Sequence, residues 1–194
     1  MLKIGITGGI GTGKSFVSKI FKSMGIAFYD ADKEAKDIMV KSDIIRKGLI
    51  NEFGSETYGE DGALNRKWLA DKVFKDPEKL ELLNGIVHPV VIQDALDWTE
   101  KQRGAYSLKE AALLYESGSY KSLDYTILVA ASLDLRLKRV MKRDHVSKEE
   151  VLDRMSRQMP EEEKKGYADF IIVNDEVTPL LPQVLAIHRK LLEI

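Results

Sequence analysis

The 194-residue sequence contains no cysteine, so it can form no disulfide, no thiolate nucleophile and no cysteine-ligated zinc site. It also lacks any run approaching the roughly 18 apolar residues that a membrane-spanning helix needs. Its first residues, MLKIGITGG, have neither the basic nor the apolar region of a secretory signal. Internal repeats and low-complexity segments are missing as well. We therefore expect a cytoplasmic protein with no membrane partner.

A strong charge excess of either sign is also missing. The 30 Lys and Arg residues nearly balance the 31 Asp and Glu residues, which gives a formal net charge of −1. Because binding to duplex nucleic acid usually requires a basic surface, we do not expect a nucleic acid partner. With 44% hydrophobic and 31% charged residues, the composition is that of a globular protein with one core. The sequence leaves the oligomeric state open.

Short apolar runs alternate with helical patterns along most of the chain. The runs that predict strands are LKIGIT, IAFY, EAALLYES, DYTILVAAS and ADFIIVN. Gly25 is the expected C-cap of the first helix, and Ser147 with Glu150 predicts a capping box. Thr178 and Pro179 predict the N-cap and first position of the last helix. This alternation indicates a doubly wound α/β fold with about five parallel strands, whose ligand binds at the carboxyl ends of the strands.

Residues 41–104 show no pattern of a buried strand. Their apolar side chains, which include Ile45, Leu49, Leu69 and Phe74, recur at helical intervals. We interpret this segment as a helical insertion in a core made of residues 1–40 and 105–194. Within it, Pro89 is expected to begin or kink a helix.

The segment GITGGIGTGKS contains the pattern Gly8-x-x-x-x-Gly13-Lys14-Ser15 between a predicted strand and a predicted helix. Glycines let successive backbone N–H groups converge on phosphate oxygens, and the helix N-terminus adds its positive end. Lys14 would reach the β- and γ-phosphates of a nucleotide, and the Ser15 hydroxyl would bind magnesium. A dinucleotide-binding loop that uses Gly9 and Gly11 is the alternative interpretation.

The choice of nucleotide and reaction depends on other residues. The sequence contains neither an N/T-K-x-D guanine-binding motif nor a D-x-x-G switch motif, which favours ATP over GTP. A phosphotransferase needs a carboxylate near the acceptor hydroxyl, and Asp30 and Asp32, after the second strand, suit this role. A favourable charge at a helix N-terminus is the alternative role for both.

Further candidates follow the third and fourth predicted strands. Glu116 ends an apolar run, where a strand-end acid commonly holds the water shell of magnesium, although a solvated loop position would also explain it. The spacing of Arg136, Arg139 and Arg143 places them near one another on a helix that could close over ATP as a lid. His88 precedes Pro89 in a partly apolar setting that also fits a packing role.

Motifs in the same order along nearly the whole chain resemble the dephospho-coenzyme A kinase family. They are GITGGIGTGKS, DAD at residues 30–32, LNGIVHP at residues 83–89, LLYES at residues 113–117, LKRVMKRD, RMSRQ at residues 154–158, and ADFIIVN. The resemblance implies a P-loop NTPase core with a helical substrate-binding insertion after the second strand and a helical lid, at about residues 136–165, after the fourth. It implies ATP-dependent phosphorylation of the ribose 3′-hydroxyl of dephospho-coenzyme A, with Mg²⁺.

The resemblance also implies roles for individual residues. Asp32, Lys14 and Arg139 would be catalytic, while Asp32, His88 and Glu116 would bind the acceptor. The residues implied in ATP binding are Gly8, Gly9, Gly11, Thr12, Gly13, Lys14, Ser15, Phe16, Arg143 and Asn174, and Ser15 would also bind the metal. A kinase acting on a nucleoside or nucleoside monophosphate and a non-catalytic ATP-binding module are the two rival functions.

Overall fold

The computed structural model describes residues 1–73 and 76–194. The described residues form one five-stranded sheet and nine α-helices. The strands are β1 (Leu2–Thr7), β2 (Ala27–Asp30), β3 (Tyr106–Glu110), β4 (Tyr125–Ala130) and β5 (Phe170–Val173). The helices are α1 (Lys14–Ser23), α2 (Ala31–Lys41), α3 (Asp43–Phe53), α4 (Arg66–Val73), α5 (Pro77–Glu100), α6 (Leu133–Asp144), α7 (Lys148–Ser156), α8 (Glu161–Tyr167) and α9 (Leu180–Glu193). Phe74, one of the apolar residues of the predicted helical pattern, lies outside the described residues.

The sheet has the strand order β2-β3-β1-β4-β5, and every neighbouring pair is parallel. This order confirms the predicted α/β class and strand number. The strand β1 lies between β3 and β4. The chain adds β2 and β3 on one side of β1 and then β4 and β5 on the other side, so the strand order reverses direction at β1. A crevice for a ligand is expected at this point, outside the carboxyl ends of β1 and its neighbours.

The chain divides into two compact units. The first unit contains the sheet and consists of Met1–Asp30 and Thr99–Ile194. The second unit, Ala31–Trp98, is helical. It overlaps the predicted insertion at residues 41–104 without sharing its boundaries, because α2 follows β2 directly and belongs to the helical unit.

The core of the first unit lies between the sheet and the helices α1 and α9. Aliphatic and aromatic residues of β1, β3, β4 and β5 interlock there with residues of the two helices, and the buried members are Ile4, Ile6, Val17, Phe21, Tyr106, Leu108, Ile127, Val129, Ile172, Val184, Ile187 and Leu191. Strands that are covered by helices have nearly continuous apolar sequences. The strands β1 and β4 were therefore identifiable from the sequence.

The second unit has its own buried residues, among them Ile45, Leu49 and Leu69. The phenol of Tyr58 donates a hydrogen bond to the Met39 carbonyl at 2.6 Å. The Arg46 guanidinium lies 4.8 Å from the centre of the Tyr58 ring, a cation–π arrangement. Predicting a helical segment here from apolar spacing was correct.

The predicted position of the third strand was wrong. The strand β3 ends at Glu110, and residues 112–117 shortly after it form turns. Polar residues of β3, such as Ser107 and Lys109, are buried, and the strand is internal to the sheet because β1 and β2 pair with it on both sides. The apolar run after it folds over the sheet instead, and the Leu114 side chain packs beside Gly5. An apolar run therefore marked buried residues here but not a strand.

The last helix also begins differently from the prediction. Its N-cap is Pro179, and no side chain caps it. Thr178 is not the N-cap, because its N–H and hydroxyl both donate to the Asp175 carboxylate, at 2.7 and 2.9 Å. Pro89 does not begin a helix but lies inside α5, and a kink of α5 at this residue stays a prediction.

Of two other helix-end predictions, one is wrong by one residue and one is confirmed. The C-cap of α1 is Met24, and Gly25 follows it with φ of 82° and donates its N–H to the Lys22 carbonyl, as a glycine just after a C-cap does. Ser147 and Glu150 form the full capping box at the start of α7.

Candidate functional site

The glycine-rich loop joins β1 to α1 at the carboxyl edge of the sheet. Gly11 and Gly13 have φ of 84° and 85°, the left-handed conformation that favours glycine. Gly13 is the N-cap of α1, and no side chain caps this helix. The positive end of the α1 dipole therefore lies at the loop, where an anion is stabilised.

Close packing explains two other features of the loop. A Cβ atom at Gly8 would lie 2.7 Å from the Val129 carbonyl oxygen, and one at Gly11 would lie 2.7 Å from the Arg136 carbonyl oxygen. Backbone at those distances leaves no room for a side chain. The glycines thus permit both the curl of the loop and its contact with β4 and α6.

Side chains from outside the loop bind three successive carbonyl groups of its backbone. Arg136 Nε donates to the Ile10 oxygen at 3.0 Å, and Arg139 donates to the Gly11 oxygen at 3.3 Å. Asn174 Nδ2 donates to the Thr12 oxygen at 2.7 Å. Because the N–H and C=O of one trans peptide point in opposite directions, this arrangement turns carbonyls outward and favours amide groups on the inner side.

Lys14, Ser15 and Glu110 meet at one oxygen atom. Lys14 Nζ lies 2.9 Å from Glu110 Oε1, and the Ser15 hydroxyl donates to the same atom at 2.8 Å. The Lys14 and Glu110 side chains are only 10% and 8% exposed. The contact follows from topology, since Glu110 ends β3 opposite Ile6 of β1, next to the loop.

The environment of Glu110 keeps its carboxylate charged. Burial acts to raise the pKa of the Glu110 carboxyl group, but the Lys14 charge and hydrogen bonds from Lys14 and Ser15 outweigh burial and hold the pKa below its ordinary value. An ionised carboxylate beside a hydroxyl offers the oxygen ligands that Mg²⁺ prefers. Ser15 and Glu110 therefore fit a magnesium ion in their donor chemistry.

Arg139 and Asn174 meet on the other side of the loop. Arg139 donates to the backbone oxygen of Asn174 at 3.1 Å and pairs with Glu176 at 3.1 Å. The Asn174 side chain packs against Gly13 so closely that a Cβ atom there would collide with it. Glu176 has φ of 67°, which is strained for a residue with a side chain. The segment after β5 thus holds Arg139 at the loop.

The two remaining loop residues of the prediction have different surroundings. Thr12 is fully buried, and its hydroxyl donates to the Gly9 carbonyl at 2.9 Å, a bond within the loop itself. Phe16 lies in the first turn of α1 with 60% of the residue exposed. Thr12 therefore stabilises the loop conformation, whereas Phe16 offers an accessible ring.

The predicted acceptor-site residues are divided between the two units. Asp30 ends β2 in register with Glu110, within the first unit. Asp32 is exposed in the first turn of α2, and His88 lies inside α5, both in the second unit.

Glu116 does not end a strand. Its carboxylate Oε1 accepts a hydrogen bond from the Met159 N–H at 2.8 Å and lies 2.8 Å from Lys164 Nζ. The Lys164 side chain is 1% exposed. Glu116 therefore connects the turn after β3 to the segment around α8, and the acid at the end of β3 is Glu110.

The three predicted lid arginines share α6 but not the same environment. The Arg136 and Arg139 side chains are 11% and 23% exposed and touch the loop. Arg143 is 64% exposed and pairs with Asp144 at 2.7 Å. Two arginines are thus held at the loop, and the third lies at the solvent-exposed end of the helix.

Two residues at the loop were not identified from the sequence. The apolar run EAALLYES places Glu110 at the start of the predicted third strand, whereas Glu110 is the last residue of the polar strand β3. Gln158, part of the RMSRQ motif with no role assigned, accepts a hydrogen bond from the Ile10 N–H at 2.8 Å. Glutamine at the end of a helix gives no chemical signal of this contact, so only its place in the motif could have pointed to it.

The described part of the chain contains no cluster of three or more His, Asp or Glu side chains arranged to hold a metal. None of the helices in residues 1–73 and 76–194 is long and apolar enough to cross a membrane.

Comparison with known proteins gives consistent matches. Residues 2–179 match the family model described as dephospho-CoA kinase. A dephospho-CoA kinase of Bacteroides fragilis is 39% identical over 185 residues, which cover 95% of this chain and 90% of that protein. The crystal structure of TT1252 from Thermus thermophilus is similar with a TM-score of 0.83 and 37% identity, over 100% of this chain and 97% of that one. A dephospho-CoA kinase structure from Campylobacter jejuni gives a TM-score of 0.70 and 27% identity, over 98% and 97% of the two chains.

Proposed function

We propose, on the premise that the chain belongs to the dephospho-CoA kinase family, that it transfers the γ-phosphoryl group of ATP to the ribose 3′-hydroxyl of dephospho-coenzyme A. The product is coenzyme A. The observation that carries the proposal is the family match over residues 2–179, which includes both the glycine loop and the DAD segment. The absence of cysteine is consistent with a cytoplasmic enzyme.

The glycine loop supports ATP as the phosphoryl donor. Its outward carbonyls are bound by Arg136, Arg139 and Asn174, and α1 directs its positive end to the loop. Lys14 would stabilise charge on the β- and γ-phosphates, and Arg139 would add positive charge from the lid. We assign nucleotide contacts to the loop from Gly8 to Phe16, to Asn174 beside it, and to Arg143 at the solvent-exposed end of α6.

Asp32 is proposed to act on the acceptor. In the reaction, the acceptor 3′-oxygen forms a bond to the γ-phosphorus while the bond to the β–γ bridging oxygen breaks, and ADP leaves. Asp32 would orient the hydroxyl and accept its proton. We also assign acceptor binding to the helical unit that contains Asp32 and His88.

Magnesium fits the donor set at the start of α1. We propose that the Ser15 hydroxyl and the Glu110 carboxylate hold Mg²⁺ together with phosphate oxygens of ATP, because these are hard oxygen ligands. The ion would neutralise charge on the phosphates. Ser15 and Glu110 would keep Lys14 and the first turn of α1 in position.

An acceptor panel tests the function. Purified protein is incubated with ATP, Mg²⁺ and either dephospho-coenzyme A, AMP or a nucleoside, and each acceptor is analysed by mass spectrometry. We expect one added phosphoryl group on dephospho-coenzyme A alone. Phosphorylation of AMP or a nucleoside in its place would establish the rival kinase function. ATP binding with no phosphorylated acceptor would contradict the proposed reaction.

A further inference from the structure

We propose that Arg136 and Gln158 are positioning residues. They hydrogen-bond to the carbonyl and the N–H of Ile10, and so fix the glycine loop in the conformation that binds the β-phosphate of the nucleotide. The inference rests on the proposed use of ATP and adds two residues to the machinery of that site. Neither residue is assigned contact with substrate. They act through the backbone of the loop.

Both polar backbone groups of Ile10 have side-chain partners. Its N–H donates to Gln158 Oε1 at 2.8 Å, and its carbonyl accepts from Arg136 Nε at 3.0 Å. The two partners come from different parts of the chain, since Arg136 belongs to α6 and Gln158 follows the end of α7. Two hydrogen bonds to one residue fix the peptide planes on either side of it.

The Ile10 side chain provides a third attachment. It packs against the small apolar cluster between α6 and α7, which is formed by Leu137, Val140 and Val151. Ile10 is therefore the loop residue through which α6 and α7 hold the backbone. Because Ile10 lies between Gly9 and Gly11, this attachment holds the loop at a point between two glycines.

The Arg136 guanidinium is placed by packing and by a second acid. It lies against Gly9 so closely that a Cβ atom at that position would collide with it. Its NH1 group pairs with Glu161 Oε2 at 3.4 Å, and the arginine side chain is only 11% exposed. Because Glu161 offsets its charge, Arg136 contributes mainly through the fixed geometry of its N–H groups.

This arrangement assigns different tasks to neighbouring arginines of one helix. Arg139 pairs with Glu176, whose side chain is 55% exposed, and is itself 23% exposed, so it lies nearer to solvent than Arg136. Arg136 is buried against the loop backbone. Removing the Ile10 contacts should therefore lower affinity for nucleotides that carry a β-phosphate and leave acceptor binding unchanged.

The experiment uses Gln158→Met, which keeps side-chain length and removes the acceptor, and Arg136→Lys, which keeps the charge and removes the guanidinium geometry. ADP affinity is measured by calorimetry, and the KM values for ATP and dephospho-coenzyme A are measured separately. For each variant we expect ADP affinity to fall about fivefold and the KM for ATP to rise about fivefold. The KM for dephospho-coenzyme A should stay at the value of the unmodified protein.

Gln183→Met is the matched control. Gln183 also binds both polar groups of one residue, accepting from the Val173 N–H at 2.9 Å and donating to the Val173 carbonyl at 3.0 Å, but it lies on α9. We expect this variant to lose a comparable amount of thermal stability without a change in ADP affinity. If Gln158→Met does not fold, the shorter amide of Gln158→Asn replaces it.

Two results would overturn the inference. One is unchanged ADP affinity in the Gln158 and Arg136 variants. The other is an equal rise in both KM values, which would indicate a general structural effect. The calorimetric measurement does not depend on phosphoryl transfer, so failure of the proposed reaction would be seen in the acceptor panel and would not be mistaken for failure of this inference.

Discussion

Glu110 Oε1 accepts hydrogen bonds from both the Lys14 ammonium and the Ser15 hydroxyl. One buried atom therefore positions the two residues that follow the glycines. The charge balance of the loop depends on this residue. Lys109, its neighbour on β3, is also buried, with 7% of the residue exposed. Adjacent positions of a strand point to opposite faces, so an acid and a base can be buried in succession without pairing.

Replacing Glu110 by Gln tests the ion pair. We expect Glu110→Gln to lower the free energy of unfolding by about 3 kcal/mol at neutral pH, because Lys14 is left buried without its counter-charge. The lowered pKa of Glu110 means that its contribution is present above its unfolded pKa and is lost as the pH falls through the folded pKa. The difference between the two proteins in denaturant titrations should therefore shrink in acid.

The exposed pair Glu162–Lys165 supplies the control for Glu110. Its side chains are 84% and 36% exposed, so Glu162→Gln should change stability little at any pH. Equal effects of Glu110→Gln and Glu162→Gln would contradict the role given to the buried pair.

The buried Lys109 side chain gives the folding stability a second dependence on pH. Burial lowers its pKa to about 8, so the folded state binds fewer protons than the unfolded state between about pH 8 and the ordinary lysine range. Stability should rise with pH across this window. Lys109→Met should remove the rise and stabilise the protein at pH 7 by about 3 kcal/mol. Thermal unfolding measured from pH 7 to pH 10 would refute the prediction if both proteins followed the same curve.

Asp32 is expected to act in turnover. Asp32→Asn should lower kcat by about 10²- to 10⁴-fold and leave ADP affinity unchanged, because the amide cannot accept the proton of the acceptor hydroxyl. Glu34→Gln is the matched control, since both acids lie in the first turn of α2 and favour its dipole equally. Similar kinetics for the two variants would assign Asp32 to the helix and not to the reaction.

Among the secondary-structure elements, α6 and β3 decide the arrangement of the site. The strand β3 delivers Glu110 to the loop, and α6 delivers Arg136 and Arg139 to its outward carbonyls. Glu116 stabilises the turns after β3, because its carboxylate pairs with Lys164 on α8 and accepts a hydrogen bond from the Met159 N–H. These contacts connect the site to elements that are distant in sequence.

A double-mutant cycle at Glu116 and Lys164 tests whether their pair is structural. Glu116→Gln alone should destabilise the protein by about 3 kcal/mol, since Lys164 is almost fully buried. The double variant Glu116→Gln with Lys164→Met should recover most of that loss. If Glu116 binds the acceptor, as the motif implies, the KM for dephospho-coenzyme A will rise in both variants. An unchanged KM would remove Glu116 from the acceptor site.

For the whole molecule, the division into two units separates the proposed tasks. The glycine loop, Glu110, Arg139 and Asn174 all belong to the sheet-containing unit, while Asp32 and His88 belong to the helical unit Ala31–Trp98. Nucleotide binding and acceptor binding should therefore stabilise different parts of the chain.

Hydrogen exchange can follow this separation. We expect ADP to protect amides of Met1–Asp30 and Thr99–Ile194, above all in the loop and the segment after β5, and to leave Ala31–Trp98 nearly unchanged. Dephospho-coenzyme A alone should protect Ala31–Trp98. Equal protection of both units by ADP would contradict the assignment of the helical unit to the acceptor.

The sequence by itself determined the glycine loop, the α/β class and the capping box of α7. These features depend on local chemistry, namely glycine at positive φ, the pairing of Ser147 with Glu150, and continuous apolar runs in β1 and β4. Such signals lie within a few residues of the structure that they specify.

Only the tertiary structure decided which acid ends β3 and what surrounds the loop. Lys109 and Glu110 belong to a strand whose partners are distant in sequence, so their polarity hid β3 from a search for apolar runs. The contact between Gln158 and Ile10 likewise spans 148 residues of chain. A local pattern has no access to partners at that distance, because they are brought together by the order of the strands.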